Sequence, residues 1–146
     1  VMLGYLDDKE ETRLQLQTHE DGKVWLHTGD VGSMDKTGMI FFKSRLKRII
    51  ISSGYNIYPN HVESIINKHP KVLTSIVIGK PHSYKGEVPV AYIVLKPEFK
   101  LNEDIDNEIK EYCKKNIAKY SLPTTIEYRE VLPKTKVGKV DYRNID

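Results

Sequence analysis

At 146 residues, with 39% hydrophobic and 29% charged side chains, the chain suits one ordinary domain or one domain plus a strip of a neighbour, and this balance excludes wholesale disorder. No run of about 18 apolar residues occurs, so no membrane-spanning helix is expected. A net charge of +3 spread along the chain is too weak to point to nucleic acid. The single cysteine, Cys113, excludes an internal disulfide framework; it reads as a core residue in a reducing compartment, the cytoplasm. The start Val1-Met2-Leu3-Gly4-Tyr5 carries no basic, apolar and cleavable leader pattern and no initiator methionine, as expected of a piece of a longer protein.

The first stretch is predicted to form small β-hairpins rather than helices. Turn signals at Asp7-Asp8, Asp21-Gly22 and Asp35-Lys36-Thr37-Gly38 separate short extended segments, of which Val24-Trp25-Leu26 and Met39-Ile40-Phe41-Phe42 are the apolar ones. The β-branched run Arg48-Ile49-Ile50-Ile51-Ser52 predicts a further strand, followed by a loop at Ser53-Gly54-Tyr55-Asn56. Pro59 suits the first turn of a helix that puts Val62, Ile65 and Ile66 on one face, and Pro70 ends it. Val72 to Ile78 and Val88 to Leu95 read as buried strands joined by a loop from Gly79 to Gly86, with Pro89 near the start of the second. Asn102 is the expected N-cap of a longer helix whose apolar stripe is Ile105, Ile109, Tyr112, Cys113 and Ile117. Ile126 to Arg129 alternates as a half-buried strand, and Leu132-Pro133 hands over to a basic loop.

This order predicts an α+β fold, a small sheet with two covering helices preceded by β-hairpins. The composition changes near Ser44 to Lys47, which places the expected boundary between residues 1–44 and 45–146.

No phosphate loop of the G-x-x-x-x-G-K-[S/T] type, no dinucleotide fingerprint and no zinc-spaced cluster of Cys or His is present, so self-contained catalysis is not expected. Four segments carry chemistry. Asp30, at a strand end in His27-Thr28-Gly29-Asp30, can accept hydrogen bonds from a sugar diol, or is an ordinary turn aspartate. Arg45, Lys47 and Arg48 are candidates to clamp an anion, against the plainer reading of solvated turn charges. Ser53-Gly54-Tyr55-Asn56 lets backbone approach a ligand because glycine lacks Cβ. Pro133-Lys134-Thr135-Lys136-Val137-Gly138-Lys139 can aim an ammonium at a phosphate or carboxylate, or is a solvated basic tail.

Together these segments resemble the adenylate-forming superfamily of acyl-CoA synthetases, aryl-CoA ligases, luciferase and peptide-synthetase adenylation domains. The marks are Trp25 to Asp30, Arg45 to Pro59 followed by Glu63, Gly86-Glu87-Val88-Pro89, and the terminal Pro-Lys-Thr-x-x-Gly-Lys. The resemblance implies an α+β C-terminal lid domain, with residues 1–44 as the last hairpins of a large adenylation domain. It implies that Asp30 binds the ATP ribose hydroxyls, that Arg45 stands near the ribose and phosphate, and that Lys47 is the hinge. Lys139 corresponds to the catalytic lysine. Ser53, Gly54, Tyr55 and Asn56 correspond to the loop lining the pantetheine passage, Asn56 standing where relatives often carry Arg or Gln. The implied substrates are a carboxylic acid such as a fatty acid, ATP with Mg²⁺, and CoA, with the lid packing against its own N-terminal domain and rotating between two half-reactions. A carrier protein is the alternative acceptor, and a non-catalytic anion-binding or interaction module is the alternative of another class.

Overall fold

In the computed structural model, which describes residues 2–145, Asp8 starts a helix where a turn between strands was expected. Its Oδ1 accepts the Glu11 N–H at 2.9 Å and caps α1 (Lys9–Gln15), with Glu10 and Glu11 in the first turn and Arg13 in the last. Aspartate serves a turn and an N-cap equally well, and the charge order then favours the helix. Two antiparallel hairpins follow: β1 (Leu16–Thr18) with β2 (Val24–Leu26), and β3 (Asp30–Met34) with β4 (Ile40–Arg45). Their turns close alike. His19 N–H donates to the Lys23 carbonyl at 3.0 Å and Asp35 N–H to the Met39 carbonyl at 3.0 Å, with Gly22 and Gly38 at φ 73° and 87°. This is a type I turn followed by a left-handed residue, which glycine alone adopts without strain.

The chain divides into two compact units after Lys47, not after Ser44. The reason is that Ser44 and Arg45 still pair with Val31 and Asp30, and the Leu46 N–H donates to the Gly29 carbonyl at 2.7 Å. Within the first unit Ser44 is the one buried residue among those described, while Trp25, Phe41 and Phe42 are 49%, 52% and 59% exposed.

Residues Leu46–Arg48 turn as a 3₁₀ element at the end of the first unit and the start of the second, so β5 begins later than expected, at Ile50 (Ile50–Ser52). Ser53 and Gly54 take φ 49° and 81°, the positive pair of a type I′ turn, and hence Tyr55 and Asn56 are strand rather than loop, in β6 (Tyr55–Ile57). After α2 (Pro59–Ile66), β7 (Val72–His82) and β8 (Gly86–Leu95) form one long hairpin. The expected 79–86 loop shrinks to residues 83–85, because Gly79 to His82 continue the ladder opposite Pro89 to Gly86. α3 (Glu103–Asn116) and β9 (Thr125–Tyr128) complete the unit.

β8 is the centre of the sheet. β7 pairs along one side; on the other, β5 meets it at Gly86 and β9 runs parallel from Val90 to Ile93. Pro89 falls between those two pairings, where its missing N–H leaves no ladder bond unmade. Alternate β8 residues face opposite cores. Ala91 and Ile93 pack with Val62 and Ile66 of α2 and Ile105, Ile109 and Cys113 of α3. Val90, Tyr92 and Val94 pack with Ile76, Leu132 and Ile145, so the C-terminal segment covers the face that the helices leave open. Burial on both faces explains the unbroken apolar run from Val90 to Leu95. Asn102 Oδ1 accepts the Ile105 N–H at 2.9 Å and caps α3, and burial pushes the Cys113 thiol up to about 11. Among the described residues no helix is long and apolar enough to cross a membrane.

His69 is buried between α2 and β7. Its Nδ1 accepts the Lys71 N–H at 3.3 Å, its Nε2 lies 3.4 Å from Glu108 Oε1, and Tyr112 meets the ring edge-on. Burial holds its pKa below the ordinary 6.5 against the pull of Glu108, with Lys71 adding to the depression. A depressed histidine stabilises the fold above its unfolded pKa, and that contribution is lost as pH falls through the folded one. The urea midpoint of the second unit is therefore expected to drop between about pH 7 and about pH 5, and to drop less in His69→Asn. Parallel titration of the two proteins by far-UV circular dichroism checks it, and equal pH slopes would remove His69 from the account.

Candidate functional site

Asp30 is the first residue of β3 and Arg45 the last of β4, and the register sets them directly opposite. Arg45 Nε meets Asp30 Oδ1 at 2.8 Å, and Arg45 Nη1 donates to the Thr28 carbonyl at 3.1 Å. The Asp30 N–H in turn donates to Thr28 Oγ1 at 3.1 Å. Both charged side chains are well exposed, so the pair contributes little to stability. What it does is fix the orientation of a carboxylate at a strand end. A depression of about 460 Å³ opens beside it, lined by His19, Trp25, His27, Asp30 and Lys47 among others. Lys47 is the last residue of this unit.

In the second unit the Ser53–Gly54 turn is held from outside. Ser53 N–H donates to the Lys85 carbonyl at 2.8 Å, and Glu87 Oε2 accepts the Ile51 N–H at 3.0 Å. Gly86 has φ 76° and lies so near β5 that a Cβ there would come within 3.2 Å of the Ile51 carbonyl oxygen, which accounts for Gly-Glu at this place. Tyr55 stacks on Tyr120 with ring centroids 5.3 Å apart. Tyr120 escaped the sequence analysis, since nothing near it in the chain marks it as a partner of the turn.

Lys139 is not on a flexible loop, as expected, but on a hairpin. Lys134 bridges Val140, Thr135 N–H donates to the Lys139 carbonyl at 2.7 Å, and Gly138 N–H donates to the Thr135 carbonyl at 2.8 Å. Gly138, at φ 79°, repeats the turn seen at Gly22 and Gly38. Lys139 N–H also donates to Thr135 Oγ1 at 3.2 Å. Leu132 and Ile145 are buried on either side of this hairpin, and Val140 and Tyr142 pack on the same core. The base is thus anchored while Lys136 to Lys139 stand exposed.

Arg48 leaves the set of anion-clamp candidates. Its Nη1 donates to Asn60 Oδ1 at 2.7 Å, its Nη2 is paired with Glu63 Oε1 and reaches the Val77 carbonyl at 3.3 Å, and its guanidinium lies over Tyr142, 5.2 Å from the ring centroid. These partners engage three of its five N–H donors inside the fold, and the side chain is only 13% exposed, so its charge is spent on packing rather than on a ligand. Among the described residues there is no group of three or more His, Cys, Asp or Glu side chains placed to hold a metal ion.

The structure therefore brings Asp30 and Arg45 together in the first unit, gathers Ser53, Gly54, Tyr55 and Asn56 at one turn of the second, and gives Lys139 a hairpin of its own. Comparison with known proteins adds the following. The chain is 41% identical to a 2-methylpropanoate–CoA ligase of Humulus lupulus over 140 residues, 96% of this chain and 24% of that protein. It is 41% identical to a long-chain-fatty-acid–CoA ligase of Bacillus subtilis over 145 residues, 99% of this chain and 24% of the relative. The o-succinylbenzoate CoA synthetase of Bacillus subtilis, solved with its acyl-adenylate intermediate, superposes with a TM-score of 0.84 at 33% identity, over 99% of this chain and 28% of that one. The chain thus spans about a quarter of the length of these relatives. The model of the AMP-binding enzyme C-terminal domain matches residues 61–139, and the chain belongs to that family.

Proposed function

We propose that this chain works as the C-terminal part of an AMP-forming acyl-CoA synthetase. The observation that carries the reading is the match of nearly the whole chain, at 41% identity, to about a quarter of the length of enzymes named as CoA ligases, together with the match to a C-terminal domain family. In the first half-reaction a carboxylate oxygen of the acid attacks the α-phosphorus of ATP, forming acyl-AMP and expelling pyrophosphate. In the second, CoA thiolate attacks the acyl carbonyl and AMP leaves. Asp30, steadied by Arg45, accepts the ribose diol. Lys139 brings an ammonium between the acid and the α-phosphate, where negative charge converges. The turn from Ser53 to Asn56 lines the path of the pantetheine arm, and Lys47 is the hinge about which the lid turns between the two steps. Mg²⁺ arrives with the nucleotide and offsets phosphate charge.

The first unit reads as the end of a large adenylation domain and the second as the mobile lid. Exposed Trp25, Phe41 and Phe42 on strands with almost no core of their own support this, since such strands need a further surface to cover them. We place the protein in the cytoplasm, in keeping with a free and buried Cys113. The named relatives differ in their acids, so acid selection is assigned to residues outside this chain. The test grafts this chain onto the Bacillus subtilis ligase in place of its aligned C-terminal part. The graft is expected to form acyl-CoA from acid, ATP and CoA, while the 146-residue chain alone gives no exchange of labelled pyrophosphate into ATP. A soluble, folded graft without thioester formation would defeat the proposal.

A further inference from the structure

We propose that Glu87 is a positioning residue for the CoA-dependent step: its carboxylate holds the Ser53–Asn56 turn in place. The inference deepens the ligase reading and rests on it at one point, the assignment of that turn to the path of the pantetheine arm.

β5 and β6 have three residues each, and a two-stranded hairpin of that length does not hold its place unaided. Its turn also carries a non-glycine residue, Ser53, at φ 49°, a conformation that the surroundings must impose. Yet the main-chain link to the rest of the sheet is slight. β5 meets β8 at one register pair, Ser52 opposite Gly86, with the Ser53 N–H donating to the Lys85 carbonyl at 2.8 Å. One residue further on, the same register would set Ile51 opposite Glu87, and there the ladder stops. The Ile51 N–H donates instead to Glu87 Oε2 at 3.0 Å, so a half-buried carboxylate takes the place of the missing main-chain acceptor.

Gly79 is an independent sign of the same arrangement. It pairs with Pro89 in the regular β7–β8 ladder and does not have a positive φ, so its backbone needs no glycine. What leaves no room for a side chain is Glu87: a Cβ on Gly79 would stand 2.9 Å from Glu87 Oε1 and 3.0 Å from its Cδ. The glycine keeps open the space that the carboxylate fills. Neither Ile51 nor Glu87 belongs to either core cluster, so losing their bond loosens the turn and leaves the sheet folded.

In the grafted ligase, Glu87→Ala is expected to raise the KM for CoA by about tenfold and to leave pyrophosphate exchange unchanged, since the first half-reaction does not use the turn. Glu87→Gln keeps an oxygen for the Ile51 N–H and should restore the parent KM. Gly79→Ala leaves Glu87 in the chain but takes the room of its carboxylate, and it should reproduce the loss. A second measurement needs no activity. In the 146-residue chain, amide hydrogen exchange followed by NMR should quicken about tenfold or more at Ile51 in Glu87→Ala, stay near the parent rate in Glu87→Gln, and hold steady at Ile109 in the core. The two measurements separate the failures. A parent graft that forms no thioester counts against the ligase reading, whereas unchanged Ile51 exchange in Glu87→Ala counts against Glu87. An unmoved KM for CoA in Glu87→Ala, losses of equal size in both half-reactions, or a Glu87→Gln variant as impaired as Glu87→Ala would likewise overturn the proposal.

Discussion

Lys139→Ala, placed in the grafted ligase, is expected to slow acyl-adenylate formation by about 10²- to 10³-fold, the usual effect of removing one preorganised charge-stabilising donor. That corresponds to about 3–4 kcal/mol of transition-state stabilisation. The hairpin makes the experiment clean. The bonds that shape it use the Lys139 main-chain N–H and carbonyl, which alanine keeps, and the side chain itself is exposed. Folding is therefore untouched, and the loss falls on the chemistry. Attack of a carboxylate on an α-phosphate brings two anions together, so the ammonium counts most there; attack of thiolate on acyl-AMP needs no such neutraliser at that place. Pyrophosphate exchange should collapse while supplied acyl-AMP is still converted to thioester. Should both half-reactions fall equally, Lys139 is a general anion anchor; should exchange persist unchanged, the lysine has no part in adenylation.

The parts of this fold that the sequence revealed are those where burial and periodicity agree. Ile105, Ile109, Cys113 and Ile117 form a stripe that only a helix on one core produces, and all four are buried. Val72 to Ile78 and Val90 to Leu95 read as strands because both faces of the sheet are covered. The boundaries were hidden where a residue type serves two structures. Asp7-Asp8 spells a turn, yet Asp8 caps α1, and Gly79 to His82 spell a loop, yet the β7–β8 ladder carries them onward. At the candidate site, the Asp30–Arg45 pairing follows from the hairpin register once strand ends are known. The stacking of Tyr55 on Tyr120, and of Arg48 on Tyr142, joins residues distant in the chain, and no local pattern encodes such a meeting. The tail looked like a solvated basic loop because its lysines dominate its composition. Its placement is set instead by Leu132, Val140, Tyr142 and Ile145, apolar groups spaced too irregularly to show a period.

Glu63→Ala is expected to cost the second unit about 3–5 kcal/mol, the penalty for orphaning one member of a buried ion pair. Arg48 and Glu63 are each only 13% exposed, and a single oxygen, Glu63 Oε1, takes both the Arg48 Nη2 and the Val77 N–H, the latter at 2.8 Å. Alanine leaves a mostly desolvated guanidinium with neutral acceptors alone, and it leaves the N–H of a fully buried strand residue without a partner. Glu63→Gln keeps an oxygen for Val77 but removes the charge, so it should cost less, about 1–3 kcal/mol. The double change Arg48→Met with Glu63→Leu removes both charges and should recover much of the loss. Urea unfolding followed by far-UV circular dichroism ranks the three proteins; if Glu63→Ala and Glu63→Gln share the parent midpoint, the pair is not a keystone of this unit. The same guanidinium lies over Tyr142, on the segment that anchors the Lys139 hairpin. Loosening at Glu63 should therefore reach the tail before the sheet melts, and trypsin should cut after Lys134, Lys136 or Lys139 earlier in Glu63→Ala than in the parent at urea concentrations where β8 is still folded.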